Sequence, residues 1–599
     1  MAMSKTGKTL LIIGGILFAL VLVSVIAIAL IAKSYGKPDV AQNSVLVLNV
    51  SGSLPDYNPP DPMGKIFGID QAESFSSLLT QIRKAKVDSR VGGLLLDVDF
   101  PGIGWGKADE LREAIKDFKA SGKPVYAFME IGMNKEYYIA AAADKIYLPP
   151  TGDLYINGFA AQAMFFRGSL DKLGVEPQFI KIGKYKSAPD QYTEKEMGEG
   201  QKEVTNAILD DYYNRVIAAI AESRNKSPED VKAMIDNAPF NAKQAQAQGL
   251  IDEAAYRDEV YEKMKTQLGY KAEDKLRTVS TSDYRDVTAD SLGLNTGEKV
   301  AVIYASGAIG SGKSNSSPFG GQTVGSDTII QALTEATEDE TIKAIVLRVD
   351  SPGGSALASD VMWHAIEKAK EKKPVVVSMG DVAASGGYYI ACNANKIVAE
   401  PSTVTGSIGV FLGKPILKGF YDWIGVNTQY TTRGKNAGLF REDQKWEGDE
   451  LAKMTEQMNS IYYDSFVPKV AKGRNKTVEE VDAIGQGHVW TGFQAKQNGL
   501  IDEFGGLEKA IEIAKQLANL PADKDVTRIA YPKPVPFLSK IFGSGEDTTF
   551  SKTQEQKAQE AVIKALPEDM RKTLKYASML DSMKRGEAMM LMPFELEIK

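Results

Sequence analysis

Apolar and polar positions along this chain fall into three patterns. The first is one unbroken apolar run: Thr9 to Ala32 carries no charge, with Lys5 and Lys8 before it and Lys33 and Lys37 after it. At 24 residues it is long enough to span a bilayer, which predicts a retained transmembrane anchor over 9–32. A cleavable signal peptide is the competing reading, because Ala27-Ile-Ala29 resembles a small-x-small cleavage site. With an anchor, residues 1–8 form a short cytoplasmic N-terminus and the body lies across the membrane. The second pattern is a series of short apolar runs alternating with segments of helical period. It predicts an α/β body with a largely parallel sheet. In the second half, strands are expected near 300–305, 344–349 and 374–379, and helices near 326–337, 357–371 and 386–393. Long amphipathic helices are expected over 201–223 and 448–474. The third pattern is the charged, helix-prone stretch 553–590, broken by Pro567, which predicts a helical tail within 526–599.

Comparing the chain with itself shows a duplication. Gly92-Gly-Leu-Leu-Leu-Asp-Val-Asp99 before Pro101-Gly102 matches Ala344-Ile-Val-Leu-Arg-Val-Asp350 before Pro352-Gly353, an offset of 350 − 99 = 251. The same offset lays Tyr137-Tyr-Ile-Ala140 on Tyr388-Tyr-Ile-Ala391, and Gly174-Val175 on Gly425-Val426. Gln248-Gly-Leu-Ile-Asp-Glu253 matches Asn498-Gly-Leu-Ile-Asp-Glu503 at an offset of 250. The expected domains are a first copy over 40–280, a Ser/Thr/Asp-rich linker over 281–296 and a second copy over 297–525.

Composition narrows the chemistry. A net charge of −7 leaves no electrostatic footprint for nucleic acid. One cysteine, Cys392, excludes an intrachain disulfide framework and a cysteine-rich metal site. The two histidines, His364 and His488, are too few for a multi-histidine metal site and disfavour a Ser-His-Asp triad; all three residues read as structural. No metal or organic cofactor is expected.

A strand-to-helix turn is the candidate reactive centre. Pro374-Val-Val-Val-Ser-Met379 reads as a strand and Tyr388-Tyr-Ile-Ala-Cys392 as a helix. Between them Ser385 is followed by Gly386 and Gly387. Such a turn exposes a nucleophilic hydroxyl and lets a carbonyl reach main-chain N–H groups. An N-cap serine in a tight turn has the same local pattern. The comparison between copies separates the two readings. Ser385 falls on Asn134, Gly386 on Lys135 and Gly354 on Ile103, so the first copy lacks the serine and the glycine pairs. Conversely Lys186 falls on Ala437. Each copy keeps what the other lacks, which predicts one Ser–Lys dyad assembled between the halves, with Ser385 as nucleophile and Lys186 as general base. A lysine acts as a base only when burial or a neighbouring cation keeps it neutral. Lys184, which matches Lys435, is the alternative base. Ser407 is a candidate to orient the amine, and Gly353, Gly354 and Gly386 are candidates for an oxyanion hole.

Ser351-Pro-Gly-Gly-Ser355, Gly380-Asp-Val-Ala-Ala-Ser-Gly-Gly-Tyr388, Pro401-Ser-Thr-Val-Thr-Gly-Ser-Ile-Gly409 and Tyr185-Lys-Ser187 together resemble bacterial signal peptide peptidase A, also called protease IV, of the long duplicated type. The resemblance covers the anchor and both copies, to about residue 525. It implies a ClpP/crotonase-like fold in each copy and a serine endopeptidase that degrades cleaved signal peptides. It also implies a single-pass protein of the bacterial inner membrane with its body in the periplasm, assembled as a homo-oligomer, typically a tetramer. The alternatives are a crotonase-type acyl-CoA enzyme and a non-catalytic membrane scaffold.

Overall fold

The computed structural model describes residues 40–58, 73–317, 321–533, 587–592 and 597–598, together with Gly15. The expected anchor at 9–32 and most of the expected tail lie outside these residues. Among the described residues no helix is long and apolar enough to cross a membrane.

The two copies build matching sheets. In the first, six parallel strands run in the order Glu253–Ala254, Lys145–Leu148, Val125–Phe128, Val91–Gly102, Ser44–Ser53, Thr278–Ser280. In the second, Glu503–Phe504, Lys396–Ala399, Val375–Ala384, Ile342–Ser351, Lys299–Ser306 and Thr527–Tyr531 repeat that parallel order. Central strands such as Ile342–Ser351 are buried on both faces, which is why they read as continuous apolar runs instead of alternating. Helices Ser326–Glu338 and Ala356–Lys370 fall where the periodicity places them. So does Glu199–Arg224. The segment expected as one helix over 448–474 is broken into Gly448–Asn459 and Val467–Arg474 by a π-helical stretch, Ser460–Phe466.

Three expectations need correction. The linker is not wholly a linker: Thr281–Arg285 is a helix docked on the first copy, with Tyr284 fully buried. The second copy runs past 525, because Thr527–Tyr531 is a strand of its sheet. The tail is not helical throughout: Met589–Leu591 is a strand paired with Gly353–Ser355 and touching Val410–Ile416. Helix propensity in its Met, Leu and Ala residues is a weak local preference, and ladder partners supplied by tertiary structure outweigh it.

The copies are joined by a strand and by buried charge. Glu176–Ile182 of the first copy pairs antiparallel with Val410–Ile416 of the second over its full length. Elsewhere between the copies, Lys107 Nζ lies 2.6 Å from Asp350, 3.5 Å from Asp381 and 3.6 Å from Asp56. Arg348 bonds Glu110 at 2.7 Å and Asp56 at 3.2 Å. Asp381 accepts from the backbone of Gly104 at 2.8 Å and of Lys107 at 2.7 Å. Burial opposes the charge on Lys107, but Asp350, Asp56 and Asp381 outweigh it and raise its pKa. Removing one partner from such a group leaves uncompensated buried charge, which costs about 3–5 kcal/mol. Lys107→Met is therefore expected to lower stability by roughly that amount and to split thermal unfolding into separate transitions for the two copies. Calorimetry checks this, and an unchanged single transition counts against it.

Candidate active site

Ser385 sits where strand Val375–Ala384 turns into helix Gly386–Ala391. Its backbone has φ 54° and ψ −112°, which a non-glycine residue adopts only under strain of about 1–3 kcal/mol. The strained turn is held by Ser385 N–H donating to Gly406 O at 2.8 Å and Tyr389 N–H donating to Ser385 O at 2.8 Å. Ser385 is completely buried.

Lys186 reaches it from the other copy. The strand Glu176–Ile182, laid along the second copy's Val410–Ile416, carries the chain to a turn at Gly183, and Lys186 follows. That turn passes against the loop around Gln486–His488. A Cβ at Gly183 (φ 116°) would lie 2.5 Å from the Gln486 carbonyl carbon, and one at Gly487 (φ 78°) would lie 2.5 Å from Lys186 N. Both positions need glycine for the close crossing. Tyr185 N–H donates to Gln486 O at 2.7 Å, and the Tyr185 ring packs edge-on to His488 at 4.5 Å. His488 in turn stacks on Trp490 at 3.6 Å. The histidine thus supports the lysine turn by packing, and its own pKa is lowered by burial. His364 lies exposed on helix Ala356–Lys370.

Lys186 Nζ lies 2.8 Å from Ser385 Oγ, 3.0 Å from Ser407 Oγ and 3.2 Å from Ser407 O. Its side chain is fully buried, and burial alone holds its pKa well below the usual lysine range. Among the described residues no carboxylate acts on it to restore the charge, so the neutral amine is the favoured form. Ser407 also has positive φ, 49°, and its N–H donates to His488 O at 2.7 Å, which fixes the serine against the amine. Lys184 lies elsewhere: it is exposed, with Nζ 3.0 Å from Tyr185 Oη, a hydrogen bond that raises its pKa.

The three glycines converge. A Cβ on Gly386 would lie 3.2 Å from both Gly353 Cα and Gly354 N. Main-chain N–H groups of Gly354 and Gly386 therefore border one small space beside Ser385. Cys392 is buried in the second copy's core, where burial pushes its thiol up to about 12. Among the described residues, no group of three or more His, Cys, Asp and Glu is placed to hold a metal ion.

The equivalent place in the first copy is filled by its own side chains. Asn134 Nδ2 donates to Gly158 O at 2.7 Å, the counterpart of the 3.4 Å contact from Ser385 Oγ to Gly409 O. Lys135, at the position of Gly386, donates to Ile103 O at 2.6 Å and lies over the Trp105 ring. The charges that align the copies were not singled out from sequence. Extending the reciprocal comparison to them finds the signal: Lys107, Glu110 and Arg348 face Ala358, Val361 and Asp97 at the offset of 251.

Comparison with known proteins identifies the family. The family model described as peptidase family S49 matches twice, over 117–271 and 367–521, ranges that contain Lys186 and Ser385. "Serine protease SPPA, chloroplastic" of Arabidopsis thaliana is 37% identical over 503 residues, covering 84% of this chain and 73% of that protein. "Protease 4" of Haemophilus influenzae is 33% identical over 538 residues, covering 85% and 84%. "Putative signal peptide peptidase SppA" of Enterococcus faecium is 33% identical over 238 residues, covering 39% and 67%. A solved structure of a mutant of the "1510-N membrane-bound stomatin-specific protease" is similar at 19% identity over 39% of this chain and 99% of that one, with a TM-score of 0.25, too slight to argue from. The chain belongs to peptidase family S49, with the family's domain present twice. It is a serine peptidase.

Burial of the neutral amine has a stability cost with a definite pH dependence. The Lys186 pKa is lowered in the fold, so the unfolded chain binds more protons between that lowered value and the ordinary lysine value near 10.4. Stability then rises with pH across that window. Lys186→Met removes the term. The variant is expected to melt higher at neutral pH, by roughly 2–4 °C per kcal/mol of desolvation relieved, with the gain shrinking as pH rises toward 10. Melting curves against pH check it; a gain that grows with pH refutes the sign.

Proposed function

We propose that this peptidase is a membrane-anchored endopeptidase that uses a Ser385–Lys186 dyad to degrade cleaved signal peptides in the cell envelope. The observation that carries the dyad is the buried 2.8 Å contact from Lys186 Nζ to Ser385 Oγ, with no carboxylate partner among the described residues. Neutral Lys186 takes the Ser385 proton as Oγ attacks a peptide carbonyl. Ser407, bonded to the same amine, orients it. N–H groups of Gly354 and Gly386 donate to the developing oxyanion, and Gly353 keeps that space open. Lys186 then protonates the leaving amine, and water activated by the same lysine releases the acyl-enzyme.

The finer assignments have different supports. The uncharged run Thr9–Ala32 supports a single-pass anchor in a bacterial inner membrane with the body on the periplasmic side. The SppA relatives and the strand, turn and helix around Ser385 support a ClpP/crotonase-like fold for each copy, and the name of the Enterococcus protein supports signal peptides as substrates. Homo-oligomers, read as tetramers, are supported by an unfilled repeat of the copy-to-copy contact. In the second copy, the arm equivalent to the one carrying Lys186 leaves Trp423 69%, Ile424 48% and Phe440 47% exposed, an apolar face suited to the first copy of the next chain.

Purified Ser385→Ala and Lys186→Met are expected to lose about 10⁴-fold or more in kcat/KM on an apolar reporter peptide, while Lys184→Ala keeps most activity. Activity of the parent should fall with falling pH as Lys186 takes up a proton. Full activity in either dyad variant, or loss confined to Lys184→Ala, overturns the assignment. Labelling of Ser385 by a serine-directed acylating reagent separates this reading from an acyl-CoA enzyme.

A further inference from the structure

The sheet beside Ser385 contains a slot one strand wide, and the chain's own C-terminal segment fills it. The slot lies between Gly353–Ser355 and Val410–Ile416, and Met589–Leu591 is the strand between them. It runs antiparallel to Gly353–Ser355, with Met590 opposite Gly354. Ala356 N–H donates to Ala588 O at 3.0 Å, and Met592 N–H donates to Pro352 O at 2.8 Å. The Ser355 hydroxyl donates to the Glu587 carboxylate.

Side chains of the segment alternate as a strand requires. Met590, 1% exposed, enters the second copy's core. Met589 and Leu591 pack on the other side, against Phe179, Ala188 and Phe411. Two of those three neighbours come from the arm that carries Lys186. The Met590 carbonyl is the group nearest Gly353, one of the three converging glycines. A methyl placed on Gly353 would collide with that oxygen, and the same methyl would stand 2.7 Å from Gly386 N. Main-chain pairing to a slot edge, with alternate side chains in pockets, is the way an extended peptide is held by strand addition.

We infer that Glu587–Met592 is a tethered occupant of the peptide groove, held as a substrate strand would be, with the Met590 carbonyl in the place of the carbonyl to be attacked. The inference rests on the proposed role of Ser385. It names the substrate's direction, antiparallel to Gly353–Ser355, and its chemistry: an extended apolar segment with a long unbranched side chain at the Met590 place and a small one at the Ala588 place. It also gives the site a regulation, since an incoming peptide must displace a segment present at high effective concentration.

The test compares the full chain with Met590→Asp and with a chain ending at Gly586. The substrate is an apolar reporter peptide, and the synthetic hexapeptide Glu587–Met592 is the competitor. A charge at the Met590 place cannot be buried unpaired, so the strand should leave the slot. Both variants are expected to show KM lowered about tenfold with kcat little changed, and the hexapeptide should inhibit both competitively. KM unchanged in both variants, or no competition by the hexapeptide, overturns the inference while leaving the Ser385–Lys186 mechanism standing. Absence of any Ser385-dependent hydrolysis in all three chains overturns the mechanism itself, and this inference with it.

Discussion

An amine that must stay neutral in water's absence is the constraint on which the rest of this structure depends. Among the described residues no carboxylate acts on Lys186, and burial lowers its pKa. The surroundings must therefore be dry, closely packed and furnished with hydroxyls that accept a neutral partner. Neither copy supplies this alone. One copy brings the lysine on a turn after Glu176–Ile182; the other brings Ser385, Ser407 and the walls. Desolvation is usually a cost to the fold, and in the proposed mechanism it is the means by which a lysine becomes a base.

The precision of that meeting is secured by elements with no chemistry of their own. Seven register pairs between Glu176–Ile182 and Val410–Ile416 set where the lysine turn arrives. Lys107, Arg348 and their carboxylates tie the start of the helix after Gly104 to the strand that leads into Ser385. Buried charges of this kind add little net stability relative to apolar packing, but a mismatch between them is costly, so they enforce one docking of the copies. Gly183 and Gly487 allow the backbones to cross at a distance no side chain permits.

Duplication explains both the economy of the site and its asymmetry. The first copy retains the sheet and the turn but fills its own cleft with Asn134 and Lys135, bonded to Gly158 and Ile103. The second copy has Ser385 and Gly386 at those places, and beside them is a slot for an extended strand. In this chain the slot holds Met589–Leu591. The same main-chain donors and acceptors that complete a sheet are those that grip a peptide, so the tail and a substrate occupy one place by one set of forces.

Much of this was legible in the residues. Periodicity placed the strands of the second copy, because strands buried on both faces are continuous apolar runs. Self-comparison exposed the duplication, and the reciprocal loss of Ser385 and Lys186 pointed to a shared site, because a duplicated fold keeps what folding needs while chemistry can be divided. Tertiary structure alone decided the rest. It alone placed Lys186 rather than Lys184 against the serine, since two lysines two residues apart differ only in which one the crossing at Gly487 turns inward. It alone made a strand of Met589–Leu591, since ladder partners from distant residues override a local helical preference. And it alone made the lysine's surroundings dry, since burial belongs to the packed whole and is written in no single stretch of sequence.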